Sequence, residues 1–175
     1  MVQKVVNTQF AIGVPGEFYD NSPRRVHGYV LQANGAVAPA ICKAFTTGSD
    51  EKSAKVGGNG LFLGILVNPK DHALKGGITP SYTLPAGAQG SLATMGHIVV
   101  TCTTAVNEGD AAFYNIADGT LAAAAKGSSV AGHIEIQGSQ FVFFGAAANG
   151  LAVLELDGSL TKTAEESESG SESGI

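Results

Sequence analysis

Apolar and polar positions alternate with a period of two through much of the chain. In residues 90–115, Leu92, Thr94, Ile98, Val100 and Cys102 fall on one parity, and Ala93, Met95, His97, Val99 and Thr101 on the other. β-branched residues crowd positions 98–104, a composition that suits a pleated surface better than a helix. Asn107-Glu108-Gly109-Asp110 then supplies a turn, and residues 111–114 a return. The pattern predicts a long hairpin at the centre of an all-β domain.

The flanking segments extend this reading. Residues 26–45 read as two strands folded at Asn34-Gly35, with Pro39 marking an edge or a bulge in the second. Residues 46–59 are polar and glycine-rich and predict a surface loop. Their Gly57-Gly58-Asn59-Gly60 run lacks the Lys-Ser/Thr ending and the spacing of a phosphate or dinucleotide cradle. Residues 61–67 form a short apolar strand, 72–77 a link, 78–84 a polar strand ending at the turn Pro85-Ala86-Gly87. A turn at 117–120 precedes a weak strand at 121–125, and residues 130–137 alternate around Gly132. Residues 141–147 and 151–156 close the domain across Asn149-Gly150, a two-residue hairpin signal. About nine or ten short strands without a long helix predict an all-β fold, a single jelly-roll-like β-sandwich or small β-barrel, and exclude βαβ crossovers.

The ends differ from the middle. Residues 1–25 hold isolated large side chains among Pro15, Pro23 and several glycines, which predicts an extended N-terminal arm. Such an arm lies either on the protein's own core or across a neighbouring subunit. Residues 158–175 are rich in Ser, Glu and Gly and predict a disordered acidic C-terminal tail. The β domain between them spans 26–157.

Composition narrows the function. Only 14% of residues are charged, against about 25% in ordinary soluble domains, so much of the surface is expected to meet partners. The net charge of −5 argues against nucleic acid as a partner; −3 of it lies from Thr161 onward, where one Lys faces four Glu. Cys42 and Cys102 read as small buried thiols of a reducing compartment. No basic and apolar leader opens the chain, and no apolar run reaches the ~18 residues of a membrane span. The four histidines, His27, His72, His97 and His133, have no ligand spacing and are expected at solvent or an interface. Neither cysteine is expected to pair with a histidine as a nucleophile, and no Gly-x-Ser-x-Gly elbow occurs. The carboxylates of the body fall mostly in turns, and the absence of Trp weighs against a glycan cleft. No enzyme, cofactor or metal site is expected.

Four pieces in fixed order carry a resemblance. They are Ala11-Ile12-Gly13-Val14-Pro15-Gly16-Glu17-Phe18 with Asn21-Ser22-Pro23-Arg24; Phe62-Leu63-Gly64-Ile65-Leu66-Val67-Asn68-Pro69-Lys70; Leu84-Pro85-Ala86-Gly87 running into Gly96-His97-Ile98-Val99-Val100 and Val106-Asn107-Glu108-Gly109-Asp110-Ala111-Ala112-Phe113-Tyr114; and Asn149-Gly150-Leu151-Ala152-Val153-Leu154-Glu155-Leu156. Together they resemble the structural cement, or capsid decoration, proteins of tailed bacteriophages. The resemblance implies a non-enzymatic virion protein, assembled in the host bacterial cytoplasm, on the outer surface of an HK97-type shell. Its partner would be the major capsid protein, with the cement braced between capsomers as a homodimer or homotrimer. On that reading the arm supplies the capsid or subunit interface, with Phe10, Phe18 and Tyr19 as apolar anchors and Arg24 and Arg25 as polar contacts. The alternatives are a head-fibre or tail-associated adhesion module, or a carbohydrate-binding β domain.

Overall fold

The computed structural model describes residues 12–68 and 83–158. Phe10, His72, the link at 72–77, most of the strand expected at 78–84 and the tail from 159 lie outside the described residues. Ten strands and no helix make up the described part: β1 (Arg25–Gln32), β2 (Ala44–Thr47), β3 (Ser53–Val56), β4 (Phe62–Leu66), β5 (Gln89–Thr101), β6 (Ala111–Asn115), β7 (Leu121–Ala124), β8 (His133–Glu135), β9 (Ser139–Val142) and β10 (Leu151–Asp157).

The larger sheet runs β1-β3-β2-β4-β5-β10-β9, and β1 also pairs with β5. That extra pairing closes the first five strands into a barrel, so of the two expected architectures the small barrel is the one found. β5 belongs to two systems. Its first half pairs with β1 and β4 inside the barrel, and its second half, from Met95 to Thr101, pairs with β10. The change-over is marked by a bulge: Arg25 faces Met95 while Val26 faces Ala93, so Thr94 is passed over. Its hydroxyl is buried without a hydrogen-bond partner. β3 reaches β1 only at Val30–Gln32, in parallel. From Arg25 to Tyr29, the side of β1 away from β5 has no strand beside it among the described residues.

Four expectations from the sequence are corrected. Residues 46–59 are not a surface loop, because they contain β3, which pairs with β2 and buries Ser53, Ala54 and Val56. A strand of four residues with Ser and Lys in it carries too little apolar signal to be seen locally. The Ser53 hydroxyl is accommodated by bonds to the Asp50 backbone. The central hairpin does not form either. β5 and β6 enter different sheets because the chain between them is held elsewhere, through a Cys102–Leu121 parallel bridge and a Val106–Ala146 bridge. The return strand expected over 36–45 is limited to isolated bridges at Val37 and Ala40 before β2, in keeping with Pro39. Finally, the strand expected over 141–147 ends at Val142, and β9 meets β10 with Val142 opposite Val153, so the connection is longer than a two-residue hairpin.

The core follows from the pairing. Leu31, Phe45, Val56, Phe62, Ile65, Leu66, Leu92 and Ile98 are fully buried in one cluster. The second sheet, β7-β6-β8, covers this cluster. Ala112 and Tyr114 of β6 join the main core, where the Tyr114 ring lies 6.0 Å from Phe62, while Ala111 and Phe113 on the other parity form a small cluster with Ala122. Two glycines weld the sheets. Gly57 (φ 62°) donates to the Ala44 carbonyl, Ala44 donates to that of Gly119 (φ 70°), and a Cβ on either glycine would come within 2.6 Å of a backbone oxygen. The stretch 57–60 is thus neither a phosphate cradle nor a slack loop but a junction requiring bare backbone.

Both cysteines are free and buried. Burial pushes each thiol up to about 12, with the Asp110 charge adding to the effect at Cys102. Both therefore stay protonated at pH 8, where the thiolate is the reactive form. A thiol-specific reagent at pH 8 is expected to label neither cysteine in the native protein and both after denaturation, read by intact-mass spectrometry. Fast native labelling would contradict the packing described.

Candidate interaction surface

The leading segment does not float free of the domain. Gly16 and Glu17 exchange backbone hydrogen bonds with Val99 at 2.8 Å each, Tyr19 donates to the His97 carbonyl at 2.9 Å, and Phe18 sits opposite Ile98. The Gly16 carbonyl also accepts from Asn68, just after β4. Residues 16–19 thus run antiparallel to the second half of β5, a little beyond where β1 begins. For these residues the placement is on the protein's own sheet.

The turn that follows is built by Asp20. One of its carboxylate oxygens accepts from the Ser22 amide at 3.0 Å and the Ser22 hydroxyl at 2.5 Å; the other lies 2.7 Å from Nδ1 of His97. These bonds, that of the Ser22 hydroxyl foremost and then that of His97, hold the Asp20 carboxyl at about 2. On the far side of the imidazole, Nε2 lies 3.6 Å from Glu155 of β10. The other Glu155 oxygen accepts from Gln140 of β9 at 2.6 Å. Of the two settings expected for the histidines, solvent or an interface, full solvent exposure does not hold for His97, whose side chain is only 18% exposed. Ser22, His97 and a carboxylate invite comparison with a hydrolase triad. The Ser22 hydroxyl, however, is directed to Asp20 and lies 3.3 Å from the same ring nitrogen that Asp20 occupies. The grouping is constructed to tie segments together.

Above this cluster lies an aromatic patch. The Phe143 ring is 5.2 Å from Tyr19, which also meets Phe144 edge-on at 6.5 Å, and it stands edge-on over the imidazole at 5.2 Å. Phe143 is 48% exposed and Tyr19 41%. Phe143 also has φ at +74°. A bulky side chain there is a backbone outlier, and such strain collects where function holds it in place. Nothing in the sequence marked Phe143; its significance comes from a backbone angle and from neighbours far away in the chain.

The other residues singled out from sequence divide. Phe18 is half-buried against the core with the Arg24 guanidinium 5.0 Å over its ring, and the two line a shallow depression with Gly16, Glu17, Val67 and Asn68. Arg25 is exposed on β1, with Nη2 3.9 Å from the Met95 sulfur. Tyr19 is brought to Phe143, whereas Phe10 lies outside the described residues. Among the described residues, no group of three or more His, Cys, Asp or Glu could hold a metal ion.

A barrel that keeps two large aromatic rings exposed and in contact has the make-up of a binding protein. Comparison with known proteins gives that class its identity. Residues 2–157 match the family described as structural cement protein (E217 gp24/Pam3 gp6), and the chain belongs to this bacteriophage family. It is thus a virion structural protein. Among solved structures, a chain from the capsid of Myoviridae phage XM1 shares the fold, with a TM-score of 0.61 and 14% identity over 89% of this chain and 97% of that one. No curated protein gives a significant match.

Proposed function

We propose that the protein decorates the outer surface of an HK97-type phage shell and bridges neighbouring capsomers, holding the shell against internal pressure. The observation that carries this reading is the pair Tyr19–Phe143, two large aromatic rings kept exposed and in contact, one of them at a strained backbone angle. Aromatic and arginine side chains of this kind dominate protein interfaces. Phe18, Arg24 and Arg25, close to Tyr19 in the chain, are further contacts on this reading, as is Phe10 earlier in the leading chain. The partner is the major capsid protein, and two or three copies of the cement joined at a symmetry axis bind together. Assembly takes place in the host cytoplasm, a setting that suits two free thiols.

Bridging amplifies weak contacts. Once one capsomer is held, the second contact forms at high effective concentration. A cement that binds only the finished lattice stabilises it by mass action, about 2.7 kcal/mol per site at a hundredfold excess over Kd.

The test is direct. Purified protein is mixed with undecorated shells, which are then imaged and heated. Ordered density on the outer surface and a raised disruption temperature are expected. Shells that remain bare, or that gain no robustness when covered, would overturn the proposal. A variant lacking residues 1–11, which leaves the β5-paired segment intact, is expected to keep its circular dichroism spectrum and to decorate at least about tenfold more weakly, the loss of one interface anchor. Equal occupancy by the shortened chain would remove Phe10 from the contact surface.

A further inference from the structure

We propose that the first eleven residues of this chain double back over its own sheet and seat the Phe10 ring on the Tyr19–Phe143 pair. Residues 1–11 lie outside the described ones, and the course of the chain just after them sets the direction from which they come. Val14-Pro15-Gly16-Glu17 is a tight turn. The Glu17 amide donates to the Val14 carbonyl at 3.1 Å across Pro15 and Gly16 (φ 80°), the arrangement of a type II turn. The turn is pinned. Gly16 donates to Val99 and accepts from Asn68, and a Cβ on it would come within 2.8 Å of the Asn68 backbone nitrogen. After the turn the chain runs from Glu17, bonded to Val99, to Tyr19, bonded to His97. A turn reverses direction. Followed backwards from Val14, the leading chain therefore heads the same way, from Val99 towards His97.

Gly13 fixes the layer in which it travels. A Cβ there would lie 3.1 Å from Cγ2 of Val99, so the Gly13 backbone rests on the Val99 side chain, above the sheet rather than beside it. Val99 is buried yet belongs to neither core cluster, in keeping with a side chain on the face that the leading chain crosses. Val99 and His97 project from that same face of β5, about 7 Å apart. Phe10 precedes Gly13 by three residues, a reach of at most about 11 Å. Its ring thus comes to the imidazole, where Phe143 stands 5.2 Å away and is itself 5.2 Å from Tyr19. Tyr19 and Phe143 are 41% and 48% exposed and offer a third ring an apolar seat. Charge agrees with this path. Asp20 and Glu155 flank His97 on the face being crossed, and residues 1–11 hold one basic residue, Lys4, and no acidic one. On the capsid-binding reading, the three rings meet the shell as one patch. That consequence rests on the reading; the seat does not.

The chain has no Trp, so Phe10→Trp supplies a single fluorescent reporter. In the isolated full-length Phe10→Trp protein, emission is expected to lie to the blue of the urea-unfolded protein. Acrylamide quenching is expected to be roughly two- to tenfold weaker than in that form, the preference one aromatic contact gives the seated ring. Both values should be unchanged on dilution. Adding Phe143→Gly or, as a second variant, Tyr19→Ala is expected to return emission and quenching to solvent-like values while the circular dichroism spectrum is kept. Solvent-like emission from Phe10→Trp alone would overturn the seat, as would a blue shift that survives both added substitutions. A blue shift lost on dilution would place the ring on a second copy and overturn it too. No shell enters this measurement, so its failure leaves the capsid reading intact. Shells that stay bare would sink that reading and leave the seat standing.

Discussion

Chemical denaturation of a Phe45→Ala variant is expected to show a loss of about 3–5 kcal/mol in unfolding free energy, the cost of removing a fully buried aromatic ring. Phe45 is wholly inaccessible, in the middle of β2, with Val56 of β3 on one side and Gly64 of β4 on the other. Gly64 offers no side chain to fill the space, and it cannot readily acquire one. Its φ is 140° and a Cβ there would lie 2.6 Å from the Ala93 carbonyl oxygen. Neighbouring strands cannot slide inward to fill the void either, because β1 to β5 form a closed ring of hydrogen bonds. The cost should therefore fall at the upper end of the range for such substitutions, which grows with the cavity left unfilled. A loss below about 1.5 kcal/mol would mean the barrel interior relaxes far more than its closure allows.

Phe143→Gly separates binding from stability. Glycine adopts φ near +74° without strain, and the ring it removes is nearly half exposed. The stability of the isolated protein is therefore expected to stay within about 1 kcal/mol of wild type, since relieved backbone strain offsets the lost contacts with Tyr19 and His97. Decoration of shells should fall by roughly 30-fold or more, the effect of deleting one interface hot spot. Titration of shells with labelled protein gives the affinity, and thermal melting of the free protein gives the stability. Undiminished decoration would remove the patch from the interface. A fall in stability well beyond 1 kcal/mol would mean the ring is a structural prop whose contacts outweigh the strain.

Much of the fold was legible because it depends on neighbouring residues. The apolar runs of β4 and β5, the turn at Asp118-Gly119 and the existence of a strand on either side of it follow from local pattern. The closure was not legible. It depends on β3, a strand of Ser, Ala, Lys and Val, pairing in parallel with β1, and no local alternation announces a parallel partner. The central hairpin failed for a related reason. A turn at residues 107–110 forms, with Asp110 bonding back to Asn107, but a turn does not dictate that its two arms pair. The interaction surface shows the same limit. Tyr19, Arg24 and Arg25 stood out as large or charged groups in a segment unable to fold alone. Their arrangement depends on His97, Phe143 and Glu155, with Asp20 separated from His97 by 77 positions. Only the folded barrel brings these residues together.

On the proposed decorated shell, where many copies share one surface, the incomplete coverage of β1 matters. Between Arg25 and Gly28 the side of the strand away from β5 has no strand beside it among the described residues, next to the exposed side chains of Val26 and Val30. An uncovered strand rim is a template on which further chains can stack into fibrils. Here Arg24 and Arg25 stand exposed where that rim begins. Like charges meeting across two such rims oppose lateral stacking, so copies can be packed densely without seeding aggregates among themselves.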